Sequence, residues 1–169
     1  VDATAANEAL PAGSALTFEA GEFDLDDDGG FTAGIVAPKG WDHSQFLGVT
    51  FEPPSDADVG FFTQMSVDTG CDGMCAPTDW EARLTGSDGY LTQLRANKTV
   101  QEETEVDGSA GVELVTTDAF GTKVTVLRWD DSADHYFKCE AALDEDDDDL
   151  VDAFRAACVA SAPGWFEVG

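Results

Sequence analysis

The stretch His135–Trp165, HYFKCEAALDEDDDDLVDAFRAACVASAPGW, decides the fold. From His135 to Ala141 the residues alternate: Phe137, Cys139 and Ala141 share one face, and Tyr136, Lys138 and Glu140 share the other. Period two is the signature of a half-buried strand. After an acidic turn, Leu150, Val151, Phe154, Ala157 and Cys158 fall on one stripe of a helix expected over about Glu145–Ser161 and stopped by Pro163. Asp146–Asp149 put negative charge at the start of that helix, where its dipole favours it, and read as a solvated helix start, with a cation site as the alternative. Cys139 then lies on the apolar face of the strand and Cys158 on the apolar face of the helix, so a disulfide between them would tie helix to sheet from the inside. Closing that loop of about 20 residues contributes about 3 kcal/mol in the chain-entropy model.

Working outward, 169 residues suit one domain with a core of its own, and the expected division is a flexible tether over 1–15 and a single α+β domain over 16–169. The charge is far from balanced: 35 acidic against 8 basic residues leave a formal net charge of −27. Phosphate backbones and anionic membrane surfaces attract Lys and Arg, so nucleic acid and acidic lipid are disfavoured partners. A cationic partner or ion remains open, beside the plainer reading of a solvated acidic surface suited to high salt or solubility. No apolar run reaches the ~20 residues of a transmembrane helix. Four cysteines, Cys71, Cys75, Cys139 and Cys158, form an even set that points to an oxidising, extracytoplasmic compartment, with three connectivities available. Cys71 and Cys75 read as a structural clip, because redox pairs are one residue closer together.

Along the chain, Val1–Ala15 has small residues, Pro11 and Gly13, and no period. Leu16, Phe18 and Ala20 alternate, as do Phe31, Ala33, Ile35 and Ala37, then Leu47, Val49 and Phe51, then Phe61, Thr63, Met65 and Val67. Between the first two of these strands lies DLDDDGG, in which Asp24, Asp26 and Asp28 take positions 1, 3 and 5 and Gly29 position 6 of a calcium loop. Position 12 is Ile35, which offers no oxygen, so an Asp-Gly turn between strands is the competing reading. Thr78 and Glu81 match a capping box for a short helix to about Leu84, and Tyr90–Arg95 reads as a second helical piece, with a strand as the alternative. Strands are expected at Thr99–Val106, Val112–Thr117, Lys123–Trp129 and His135–Ala141, joined as an antiparallel meander.

Catalytic patterns were sought and none is present: no Gly-x-Ser-x-Gly elbow, phosphate-cradling glycine loop with lysine, or His-Glu-x-x-His helix. The best acid/base group is Asp130, Asp131, Asp134 and His135, in an apparent hairpin turn. Trp41, Trp80 and Tyr90 are candidates to line a groove, or to serve as core and cover.

A strand ending in Pro38-Lys39-Gly40-Trp41, then Gly48-Val49-Thr50-Phe51, another strand, a helix, Val106-Asp107-Gly108-Ser109-Ala110-Gly111 and a last helix resemble the PsbP-like fold. That fold is found in the oxygen-evolving-complex subunit and in LpqN-type actinobacterial lipoproteins. The resemblance covers about Phe18–Ser161 and implies an antiparallel β-sheet packed against helices, as an α/β/α sandwich, with a non-catalytic extracytoplasmic role. The cysteine pairs and the acidity depart from the general pattern. The functional expectation is therefore a secreted or lipid-tethered cell-envelope binding or accessory protein without catalysis or cofactor, its ligand a protein or small molecule. The alternative is an acidic inhibitor or immunity-type protein that neutralises a basic partner. A third expectation, a hydrolase or metal enzyme, would use Asp130–His135 or Asp24–Asp28.

Overall fold

The computed structural model describes residues 1–25, 31–46, 48–70, 99–100, 111–129 and 136–164. In chain order these form α1 (Thr4–Glu8), β1 (Phe18–Asp24), β2 (Thr32–Pro38), β3 (Asp42–Gln45), β4 (Val49–Glu52), β5 (Gln64–Gly70), β6 (Thr99–Val100), β7 (Gly111–Asp118), β8 (Gly121–Trp129) and β9 (Tyr136–Leu143). A 3₁₀ turn, Glu145–Leu150, then leads into α2 (Val151–Ala160) and the short β10 (Ala162–Pro163). The protein is a mixed α+β structure with two antiparallel sheets: a small one in the order β1-β2-β10, and a larger one in the order β3-β4-β5-β9-β8-β7-β6.

Strand β9 alternates as its sequence requires, with Phe137, Cys139, Ala141 and Leu143 buried and their neighbours half-buried. It lies between β5 and β8, with Val67 and Val126 both in register with Cys139. The expected meander holds for β7, β8 and β9, and β9 then closes against β5 instead of ending at an edge.

Helix α2 buries Ala153, Phe154, Ala157 and Cys158 between the larger sheet, at β8 and β9, and strand β2 of the smaller one. The Cys139–Cys158 disulfide crosses that interface. Phe154 stands edge-on to Phe18 at a centroid distance of 5.2 Å and leans on Trp41 at 5.8 Å. One helix side chain thus joins the first strand to the turn after β2. Burying a side chain of this size is worth about 1.5–3 kcal/mol.

The helix ends where the sequence stops supporting it. Ser161 turns to an extended conformation, its hydroxyl donating to the Ala157 carbonyl and accepting the Val36 N–H, and Pro163 pairs with Ala33 as part of β10.

Four expectations are corrected. Val1–Ala15 was read as a tether, yet its first residues form α1, which packs on α2 with Ala6 fully buried. Asn7 fixes it by clamping the backbone of Phe18, donating to its carbonyl at 2.9 Å and accepting its N–H at 2.7 Å. Small residues permit this close approach and give no periodic signal. Strand β3 was not foreseen because all four of its residues are exposed, so no apolar alternation marks it.

The last helix begins at Val151 and not near Glu145, since the backbone leaves helical geometry at Asp147. Neither Phe61 nor Thr63 belongs to the strand of Met65 and Val67: that strand starts at Gln64, and Phe61 is 89% exposed in the preceding loop. The helices expected at Thr78–Leu84 and Tyr90–Arg95 lie outside the described residues.

Candidate functional site

Pro53 and Pro54 end β4, because proline cannot donate to a ladder. The chain then loops to Thr63 before β5 begins. Two turn bonds shape the loop, Ala57 N–H to the Pro54 carbonyl at 2.9 Å and Thr63 N–H to the Gly60 carbonyl at 3.0 Å.

Its anchor is Asp147, only 6% exposed despite standing in a run of acidic residues. The Asp147 carboxylate accepts the Gly60 N–H at 2.8 Å and a short hydrogen bond from the hydroxyl of Thr63. That hydroxyl in turn accepts the Asp144 N–H at 3.0 Å. Gly60 is needed here because a Cβ would overlap the Asp144 side chain. Charge-assisted bonds of this kind are worth about 1.5–3 kcal/mol each when buried. The solvated-helix-start reading of Asp146–Asp149 is thus corrected at Asp147. Pulling this one carboxylate inward is what turns the backbone out of α-helical geometry.

The tethered loop is a ridge between two concavities. On one side lies a cleft of about 800 Å³ against the Pro11–Leu16 segment and the 3₁₀ turn. Its wall carries Asp56, Asp58, Asp146, Asp147 and Asp149 with Lys39, and its floor includes Trp41 and Leu150. Trp41 is 8% exposed and backed by Phe154, so of the three aromatics foreseen as groove or core it is both at once. Trp80 and Tyr90 lie outside the described residues. On the other side is a groove of about 660 Å³ lined by Pro53, Pro54, Val59, Phe61 and Phe62. Lys39 pairs with Glu19 at 4.0 Å, so the exposed carboxylates of the cleft outnumber its cations and favour positively charged ligands through Coulomb attraction.

Of the other anticipated residues, Cys139 and Cys158 are bonded to each other. Cys71 and Cys75 lie outside the described residues, as do Asp26, Asp28 and the group Asp130, Asp131, Asp134 and His135. Asp24 ends β1 exposed and in register with Thr32, and the Leu25 N–H donates to the Phe31 carbonyl at 2.7 Å. Strands β1 and β2 pair on either side of residues 26–30, with Ile35, the twelfth position of the calcium-loop pattern, buried in β2. Among the described residues no three His, Cys, Asp or Glu side chains are placed to share a metal ion. His43 is exposed on β3 and packs edge-on to Phe23 at 5.5 Å. The loop knot of Asp147, Thr63 and Gly60 was missed, since its partners stand 84 and 87 residues away in sequence.

On the sheet face opposite α2, Lys138 pairs with Asp68 at 3.0 Å and Lys123 with Glu140 at 2.9 Å, with Tyr136 beside the first pair. Burial pushes the Tyr136 phenol above its ordinary 10.0, and the Asp68 charge adds to this against the opposing effect of Lys138. For Lys138 burial pulls downward, but the charge and hydrogen bond of Asp68, with Glu140 and Tyr136, together carry it above 10.5. Both groups hold their protons more tightly folded than unfolded. Their contribution is complete below about pH 10 and is lost as pH rises through the raised folded values. Urea midpoints measured from about pH 8 upward should hold steady to about pH 10 and then fall. The fall should be shallower in D68N, and equal alkaline slopes in the two proteins would contradict the assignment.

No family model matches the chain, and no curated protein matches it. Among solved structures, a protein from Bacteroides thetaiotaomicron VPI-5482, determined by crystallography at 1.50 Å, is similar over 83% of this chain at 9% identity, with a TM-score of 0.43. The chain spans 47% of that protein's chain, about half its length. Among the described residues, no helix is long and apolar enough to cross a membrane.

Proposed function

We propose that this chain is a non-catalytic, extracytoplasmic binding or accessory module of the cell envelope, secreted or lipid-tethered, that receives a positively charged ligand. The observation that carries the reading is the cleft lined by the exposed Asp56, Asp58, Asp146 and Asp149 together with Lys39 and Trp41. The Cys139–Cys158 disulfide supports the compartment, since such bonds persist where the surroundings are oxidising. The resemblance to PsbP-like, LpqN-type proteins supports an accessory role on the same side of the membrane. The polar groups most deeply placed here have structural work: Asp147 holds a loop, Arg128 donates to the Val159 carbonyl at the end of α2, and Glu113 pairs with Arg155.

A second reading, neutralisation of a basic protein, is favoured by the two exposed phenylalanines beside the cleft, Phe61 and Phe62.

Calorimetric titration with spermidine tests the cleft. Saturable binding that weakens as salt rises is expected, with affinity falling about tenfold in D56N/D58N/D149N. These are exposed side chains, so the triple variant should fold. No saturable heat, or the same affinity in the variant, would contradict the reading.

A further inference from the structure

The groove on the far side of the loop gathers Pro53, Pro54, Val59, Phe61 and Phe62, with Glu52, Ser55, Thr63 and Gln64 among its other lining residues. Phe61 and Phe62 are 89% and 70% exposed, and their rings stand edge-to-face with centroids 5.2 Å apart. Single exposed apolar residues need no explanation, but two adjacent aromatics against Pro53, Pro54 and Val59 form a contiguous patch. The two rings stand between Gly60 and Thr63, both of which are bonded to Asp147, so the segment that presents them is fixed on either side. Its ordering cost is therefore met before any partner arrives. Rigid aromatics of this kind supply most of the energy in protein interfaces.

Charge selects the occupant. A second copy of the chain would bring −27 against −27, and an anionic lipid surface would be repelled for the same reason. Groove and cleft share Pro54, Ala57, Val59 and Gly60, so whatever covers the phenylalanines lies within reach of Asp56 and Asp58.

We infer that the Pro53–Thr63 loop is a docking surface for a basic protein segment. An apolar side chain of the partner enters the groove beside Phe61 and Phe62, while its lysines or arginines meet the carboxylates of the adjoining cleft. The inference rests on the binding reading above and adds to it the chemistry of the partner.

Two synthetic peptides of equal charge test it by fluorescence anisotropy, one alternating lysine and leucine, the other lysine with uncharged glycine. The lysine–leucine peptide is expected to bind about tenfold more tightly. In F61A/F62A this preference should vanish while affinity for the lysine–glycine peptide stays unchanged. Equal affinities in the unmodified protein, or a preference that survives in F61A/F62A, would overturn the inference. So would co-sedimentation with phosphatidylcholine vesicles that is lost in F61A/F62A, which would assign the patch to lipid. If spermidine and the lysine–glycine peptide both fail while the leucine peptide binds through Phe61 and Phe62, the cleft reading alone falls. If spermidine binds and neither peptide does, the docking inference alone falls; if spermidine and both peptides fail, both fall.

Discussion

Replacing Phe154 with alanine is expected to cost about 3–5 kcal/mol and to lower the thermal midpoint by roughly 6–20 °C. Phe154 is fully buried on α2, edge-on to Phe18 in β1 and against Trp41 in the turn after β2. Three segments remote in sequence meet on this one ring. Neighbours fixed in two sheets and a helix cannot all move inward, so truncation leaves a cavity as well as losing transfer free energy. Trp41 also forms part of the cleft floor, so F154A should weaken spermidine binding although Phe154 does not line the cleft. Phe61→Ala is the internal comparison: the same chemical change at an 89% exposed side chain should stay within about 0.5 kcal/mol. Chemical denaturation of both variants checks the pair. A cost below about 1 kcal/mol for F154A would mean that the aromatic junction does not hold α2 in place.

The second large effect is expected from removing the covalent tie between β9 and α2. C139A/C158A should lose about 3 kcal/mol, within a range of about 2–5, because the unfolded chain regains the freedom of the loop the bond closes. Alanine is the informative replacement, since both positions are fully buried and serine would add an unpaired hydroxyl. The alanine at 139 also leaves space beside Val67 and Val126, the register partners of Cys139. The loss should therefore exceed that of the unmodified protein measured with the disulfide reduced. If C139A/C158A unfolds at the same denaturant concentration as the oxidised protein, the bond is not holding helix to sheet.

The parts of this fold that could be read from residues alone are those governed by period. Phe137, Cys139 and Ala141 in β9, and Phe154, Ala157 and Cys158 in α2, point inward as their spacing requires, which is why the disulfide was foreseeable. Where no period exists, the signal fails. Asp42–Gln45 pairs with β4 through its backbone while all four of its residues are exposed, and a ladder bond has no sequence signature. Thr4–Glu8 is held by one small buried residue, Ala6, and by Asn7 acting on Phe18.

The candidate site was the least legible part. Asp147 looks like its acidic neighbours in sequence, and only the arrival of Gly60 and Thr63 from a distant loop makes it a buried anchor. Phe61 fits an alternating pattern with Thr63, Met65 and Val67, but the turn bond from Thr63 N–H to the Gly60 carbonyl starts the strand later and leaves the ring outside.

The central structural claim is that the interior is closed by a bond between the last long strand and the last helix, leaving function to the acidic and aromatic surface around one tethered loop. Peptide mapping of intact, non-reduced protein by mass spectrometry tests it most directly. The account predicts a single linked species joining the peptide that contains Cys139 to the one that contains Cys158, with neither thiol open to alkylation. Free alkylation of both, or a link from either of them to Cys71 or Cys75, would contradict it.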